Sequence, residues 1–289
     1  MPESLIVAWH RLRPALWRSG LLLFLAGPIA WAIGYAFVYS LGGIGRLSTG
    51  WTLEHWRIAL AEPRIFGAFV YSFAIALIVT ASVILMTFGI LLGFPGVRNH
   101  PVFLLMVAIM MGTPALVLAQ MVSNTLGPGG WISRLCHHAG LVESAGDFPP
   151  LTNDRFSIGL TLAIALGVLP LALLYFSQLW GTARLDRCCQ LAESLGASWW
   201  EARLRVALPM LAARGNAMIM LIFILTLGSY EAPLLLGRQS PQMFSVATQR
   251  LALNFDLTLK PQAYVLACLY LVWTSLMLVF YIRGRHVHG

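Results

Sequence analysis

Five long windows of this sequence contain no charged residue: Ser19–Gly45, Ile65–Val97, Pro101–Ser133, Phe156–Ala183 and Pro261–Ile282. A sixth, Gly215–Gly237, is apolar except for Glu231. An α-helix rises about 1.5 Å per residue, so about 20 apolar residues cross the hydrocarbon of a bilayer. In hydrocarbon every backbone N–H and C=O must be satisfied, which a helix achieves within its own segment and a lone strand does not. The expected fold class is therefore all-α, a polytopic membrane protein with six transmembrane helices. Composition agrees: the 289 residues are 58% hydrophobic and 10% charged, against about 25% charged in a soluble domain.

The net charge of +8 does not point to nucleic acid. A nucleic-acid face would gather arginines among stacking aromatics, whereas here they fall between the apolar windows, as a topology signal does. With the N-terminus inside, the cytoplasmic pieces are residues 1–18, the turn at Arg98, the loop 184–214, and the tail with Arg283 and Arg285. These pieces hold the majority of the arginines, among them Arg11, Arg13 and Arg18, while Arg46 lies on the other side. Both termini are expected in the cytoplasm. The first window exceeds the roughly 7–15 residues of a signal-peptide core, so it is read as a retained helix. The chain divides into 1–65 (N-terminal cytoplasmic segment, first helix and outer loop), 66–282 (the main transmembrane domain) and 283–289 (a cytoplasmic tail).

The outer loops carry amphipathic stretches. One lies in 46–64 around Trp51, Glu54, Trp56 and Glu62, one in Trp131–Val142, and one in Gln242–Leu253; each is expected to form a short interfacial helix. His137 and His138 are sequence neighbours, which do not share a helix face, so no metal site is expected there. Cys136, Cys188, Cys189 and Cys268 lack metal-ligand spacing. The Cys188–Cys189 pair falls on the reducing side, so no disulfide is expected. Pro28, Pro114, Pro170 and Pro233 interrupt apolar segments and predict kinks or breaks.

Between the fourth and fifth windows runs QLAESLGASWWEARLRVALP, Gln190–Pro209. The pattern predicts a helix over about Asp186–Leu195, a break at Gly196, and a second helical piece over Trp199–Val206. Ser198 and Glu201 have the spacing of a capping box, and Pro209 marks entry into the fifth span. Connections between helices are ordinarily a few residues long, so a structured loop of this size predicts a docking element on the inner surface.

This loop resembles the EAA motif of binding-protein-dependent ABC importer permeases of type I. That motif reads Glu-Ala-Ala, three residues, Gly, nine residues, Ile-x-Leu-Pro. Gln190, Leu191 and Ala192 stand at the first three positions, Gly196 at the glycine, and Val206, Leu208 and Pro209 at the close. Gln190 and Leu191 depart from the acidic residue and the first alanine. The run Leu227–Gly237, LGSYEAPLLLG, is similar to the fifth-span ending of the spermidine/putrescine permease branch. The resemblance covers about residues 66–282.

The resemblance implies a permease subunit of an ATP-driven importer, forming the translocation path for a small solute, polyamine-like or otherwise polar or charged. Gln190, Ala192, Glu193, Leu195, Gly196, Ala197, Ser198 and Pro209 would form the coupling element that seats in a cytosolic ATPase. The implied partners are an ABC ATPase dimer, a second and different permease chain, an extracytoplasmic substrate-binding protein, and the lipid of a bacterial cytoplasmic (inner) membrane. No GxxxxGK[ST] sequence occurs in the chain, so ATP and Mg would sit on the ATPase subunits. No cofactor and no catalytic or metal-ligating residue is expected on this chain, which would be a transport subunit and not an enzyme.

A charge at membrane depth costs on the order of 2.5–3.5 kcal/mol and marks a candidate functional residue, which singles out Glu231. Gln120, Asn124, Ser229 and Tyr230 are the other candidates for a translocation path. Two other function classes stay open. An ATP-independent secondary transporter or channel would carry several intramembrane charges or an inverted repeat, and a membrane enzyme would need converging His, Asp or Glu.

Overall fold

A computed structural model of the chain describes residues 3–45, 48, 50–144 and 147–287. Arg46, and the side chains of Arg11, Arg13, Arg18 and Arg285, lie outside the described residues. The fold is all-helical, with 78% helix and no strand among the described residues. The chain forms two compact units, Met1–Pro63 with Thr248–Gly289, and Arg64–Ala247.

The first unit contains α1 (Glu3–Ser40), α2 (Glu54–Ala61) and α13 (Lys260–Val287), with α1 and α2 both packed on α13. Tyr35, Tyr39 and Tyr264 form an aromatic cluster, the closest ring centroids 4.3 Å apart. Trp56 Nε1 donates to Ser40 Oγ at 3.1 Å, which ties α2 to the end of α1. Leu22, Phe24 and Trp31 of α1 are exposed, as expected of a helix whose outer face meets lipid tails.

The second unit begins with α3 (Pro63–Gly93), its proline in the first turn, where the missing N–H costs nothing. It continues through α4 (Pro101–Gly112), α5 (Ala115–Leu126), α6 (Trp131–His138), α7 (Ile158–Thr182), α8 (Leu185–Ser194), α9 (Trp199–Ala202), α10 (Leu208–Leu227) and α11 (Glu231–Leu236). The Phe244–Ala247 part of α12 (Phe244–Ala252) also belongs to it. Its core is aliphatic and aromatic, with Val79, Leu91, Leu160, Phe176, Trp180, Leu211 and Ile222 fully buried. Helix α7 runs through this core, packed against α4, α5, α10 and α11. Where α7 meets α10, a Cβ added to Gly215 would collide with the Phe176 ring, so the glycine is what lets the two helices close.

Two expected spans differ from a straight crossing. The third window, Pro101–Ser133, is broken: α4 and the helical stretch from Ala115 to His138 are bent by 101° at Thr113-Pro114. Proline lacks the N–H that would bond to Met110 and crowds that carbonyl. It also drives the preceding residue out of the helical region, and Thr113 sits at φ −84°, ψ 121°. The fifth window, Gly215–Gly237, is also broken. Helix α10 stops at Leu227, and α11 starts only at Glu231. Pro233 supplies the reason, since a continued helix would set its ring against the carbonyl of Ser229. In α11 it falls instead in the first turn, where no N–H is needed.

Among the described residues, five helices are long and apolar enough to cross a membrane, Gly20–Ser40, Pro63–Gly93, Ile158–Thr182, Trp199–Leu227 and Leu257–Gly284, or six if the bent pair counts as one span. This is the helix set of a multi-pass membrane protein. The three short amphipathic stretches form helices α2, α6 and α12, with α6 ending at His138, short of Val142.

Candidate functional site

The α7–α10 connection is assembled from local rules. Helix α7 ends at Thr182, and Arg184 adopts a left-handed conformation (φ 50°) to turn the chain into α8. On α8, Leu185 and Cys189 face inward and are buried, while Gln190, Leu191 and Glu193, and Leu195 just past the helix end, are exposed. Gly196 ends the helix at φ +98°. Its N–H bonds to Glu193 O at 3.0 Å, and Ala197 N–H bonds to Ala192 O at 3.0 Å. This is the paired-bond glycine termination, the Schellman motif, that satisfies the last helical carbonyls. No atom lies within 4 Å of a Cβ placed on Gly196, so the requirement for glycine there is one of backbone conformation.

The chain restarts at once. Ser198 Oγ accepts from Glu201 N–H at 3.3 Å and the Glu201 carboxylate accepts from Ser198 N–H at 3.0 Å, a complete capping box. Helix α9 does not end before the fifth span. It passes through a π-helical turn, Arg203–Ala207, directly into α10, so that Trp199–Leu227 is one helical rod with Pro209 inside it. Leu208 N–H bonds five residues back to Arg203 O. A regular turn would press the Pro209 ring on the carbonyl of Arg205, and the wider π-turn takes up that clash.

Two side-chain links hold α8 to the helical run that starts at Trp199. Arg203 is buried, lies 3.6 Å over the Trp199 ring, and pairs with Glu193 at 3.5 Å. The Cys189 thiol donates to Ala202 O at 3.8 Å. Burial pushes that thiol's pKa above its usual value, with the nearby Arg203 opposing. Arg205 and Glu201 form a further exposed pair at 3.7 Å.

The residues predicted for this site lie along this connection, from α8 to the start of α10. Gln190, Glu193, Leu195, Gly196, Ser198 and Pro209 are exposed, while Ala192 and Ala197 are half-buried. Leu191 (63% exposed), Leu195 (81%), Trp199 and Trp200 add apolar surface to the same two helices.

The pathway candidates form two sets. Gln120 and Asn124 lie exposed on α5, with Gln120 Nε2 donating to Asn124 Oδ1 at 2.9 Å. Ser229 and Tyr230 lie in the break between α10 and α11, and Glu231 follows directly. Ser229 O accepts from Ser245 Oγ of α12 at 2.5 Å, and Glu231 is the exposed first residue of α11. Glu231 is thus not a charge within a continuous fifth span, as its place in the apolar window suggests. Helix α11 packs on α5 and α7, so the helix that begins at Glu231 touches the one that carries Gln120 and Asn124.

No family model matches the sequence, and no curated protein does. Among solved structures, the chain is similar to one in the crystal structure of a bacterial ABC transporter involved in the import of the acidic polysaccharide alginate. The TM-score is 0.62 at 15% identity, covering 96% of this chain and 100% of that chain. The two chains share a fold. At this identity the likeness to the alginate transporter's chain is one of fold alone.

Sequence reasoning missed one part of the site. Arg98, in the turn between α3 and α4, donates through Nη2 to both Asp186 carboxylate oxygens, at 2.8 and 2.7 Å. The fully buried Trp180 of α7 donates its Nε1–H to Asp186 Oδ1 at 3.0 Å, and the Arg98 guanidinium lies 4.5 Å over the Trp180 ring. The partners are 88 positions apart, so no local pattern signals the pair.

Proposed function

We propose that this chain is the transmembrane permease subunit of an ATP-driven ABC importer of a bacterial cytoplasmic membrane, with both termini in the cytosol. One observation carries the reading. The α8–α9 element presents exposed Leu191, Leu195, Trp199 and Trp200 on a base fixed by buried residues, and runs without a break into α10. An exposed apolar surface on a rigid lever suits a protein partner, and the fold shared with the alginate transporter's chain supports an importer.

In this reading residues 66–282 are the permease domain, preceded by 1–65 and followed by the tail 283–289. Gln190–Pro209 is the EAA loop, α8 with Gly196 is the coupling helix, and α9–α10 is the lever that turns ATPase closure into movement of the bundle. ATP and Mg are held by a cytosolic ATPase dimer. A second permease chain completes the path, and an extracytoplasmic binding protein delivers the solute. Gln120, Asn124, Ser229, Tyr230 and Glu231 line the path. The exposed acid Glu231 favours a cationic, polyamine-like solute. The alginate transporter handles an acidic polysaccharide, so the fold itself does not choose between solutes.

The test is co-purification in mild detergent from the native host. The expected outcome is an ATPase travelling with the tagged chain, and uptake that stops when ATP is withdrawn. Uptake that persists without ATP, with no ATPase in the preparation, establishes the alternative, a secondary transporter or channel.

A further inference from the structure

The geometry points to Arg98 as a positioning residue that gives α8 a second attachment to the bundle, through Asp186, so that displacement of α8 reaches the α3–α4 turn as well as α10. This rests on the coupling role proposed above for α8.

The two ends of α8 are held differently. Its C-terminal end is joined through the chain at Gly196 and through the Glu193–Arg203 pair to the α9–α10 rod. Its N-terminal end carries Asp186, which takes Arg98 from a turn remote in sequence and the Trp180 indole from α7. The Arg98 side chain is 8% exposed and that of Asp186 is 52% exposed. Most of the desolvation therefore falls on the arginine. Arg98 Nη1 is buried without a hydrogen-bond partner, and the guanidinium has the Trp180 face beside it instead. A topology signal needs only a charge near the helix end, in water. A buried guanidinium on a carboxylate and an indole is a fixed joint, because leaving the buried guanidinium unpaired there is unfavourable. Arginine suits it better than lysine, whose compact ammonium stacks poorly on a ring face.

The joint has a mechanical consequence. The α3–α4 turn leads into α4 and then to the Thr113-Pro114 break and α5, which carries Gln120 and Asn124. A push on α8 thus has one route through α10 toward Glu231 and another through Arg98 toward α4 and α5. The two routes converge where α11 packs on α5.

The experiment uses the chain in its purified complex, with Cys136→Ser and Cys188→Ser replacements and nitroxides on two introduced cysteine pairs. Phe94→Cys with Arg187→Cys reports the joint itself. A narrow distance distribution is expected, with broadening in Arg98→Ala and in Asp186→Asn; the latter keeps an acceptor for Trp180. Arg98→Lys should recover part of the narrowing. Phe94→Cys with Leu162→Cys reports the turn against α7. Its distance should shift on trapping with Mg-ATP and vanadate, and the shift should be lost in Arg98→Ala while the complex is still recovered in the parent's yield.

An unbroadened Phe94–Arg187 distance in Arg98→Ala overturns the joint. A preserved ATP-driven shift in that variant overturns the second route, as does a loss of complex yield together with the shift, which marks a merely structural arginine. If the parent complex hydrolyses ATP with no shift at all, or holds no ATPase, the coupling reading fails instead. The Phe94–Arg187 distance then decides the joint by itself.

Discussion

Single residues in this chain do work that their type alone does not reveal. Glu231 is the clearest case. In the sequence it is one acid in an apolar window; in the fold it begins α11, exposed, after a break that Pro233 forces. An acid in the first turn of a helix meets the positive end of the helix dipole, so its charge is supported locally. We expect Glu231→Gln to lower uptake at limiting solute while the complex hydrolyses ATP normally, as measured in proteoliposomes. Unchanged uptake at both limiting and saturating solute removes Glu231 from the path. Arg98 shows the same gap between type and role, since its charge placement was legible and its partner was not.

At the scale of elements, the sequence was most informative where rules are local. The Ser198–Glu201 capping box and the glycine stop at Gly196 follow from spacing over a few residues, and both form. The positive φ of Gly196 has a measurable consequence. A side chain in the left-handed region costs roughly 1–2 kcal/mol, and nothing around Gly196 is displaced by a methyl. Gly196→Ala should therefore loosen the α8–α9 turn without disturbing the core. Faster hydrogen exchange over residues 190–206, with unchanged protection in α7, is the expected result. Unchanged exchange across the turn contradicts it. The breaks at Thr113-Pro114 and Gly228–Tyr230 were harder to read. A proline in an apolar run predicts some disturbance, yet Pro170 sits inside an unbroken α7. Whether such a proline kinks, breaks or is absorbed depends on what packs beside it.

For the whole molecule, the proposed orientation places the α8–α9 element and α6 on opposite sides of the membrane. The cysteines test this directly. Cys136 on α6 and Cys188 on α8 are partly accessible, whereas Cys189 and Cys268 are buried. A membrane-impermeant maleimide applied to intact cells should label Cys136 alone, with Cys188 added on permeabilisation. Cys189 should stay silent in both, because burial blocks access and its raised pKa keeps the thiolate scarce. Labelling of Cys188 in intact cells reverses the orientation.

The sequence by itself determined the helical class, the apolar segments and the position of the helix–glycine–helix loop, because bilayer thickness, capping and glycine backbone freedom act over short stretches of chain. Tertiary structure decided that two of the six windows are broken, that Pro209 is carried within a continuous rod, and that Arg98 closes on Asp186 beneath Trp180. Those outcomes depend on which side chains meet across distant parts of the chain, and hydrophobic spacing holds no record of such meetings.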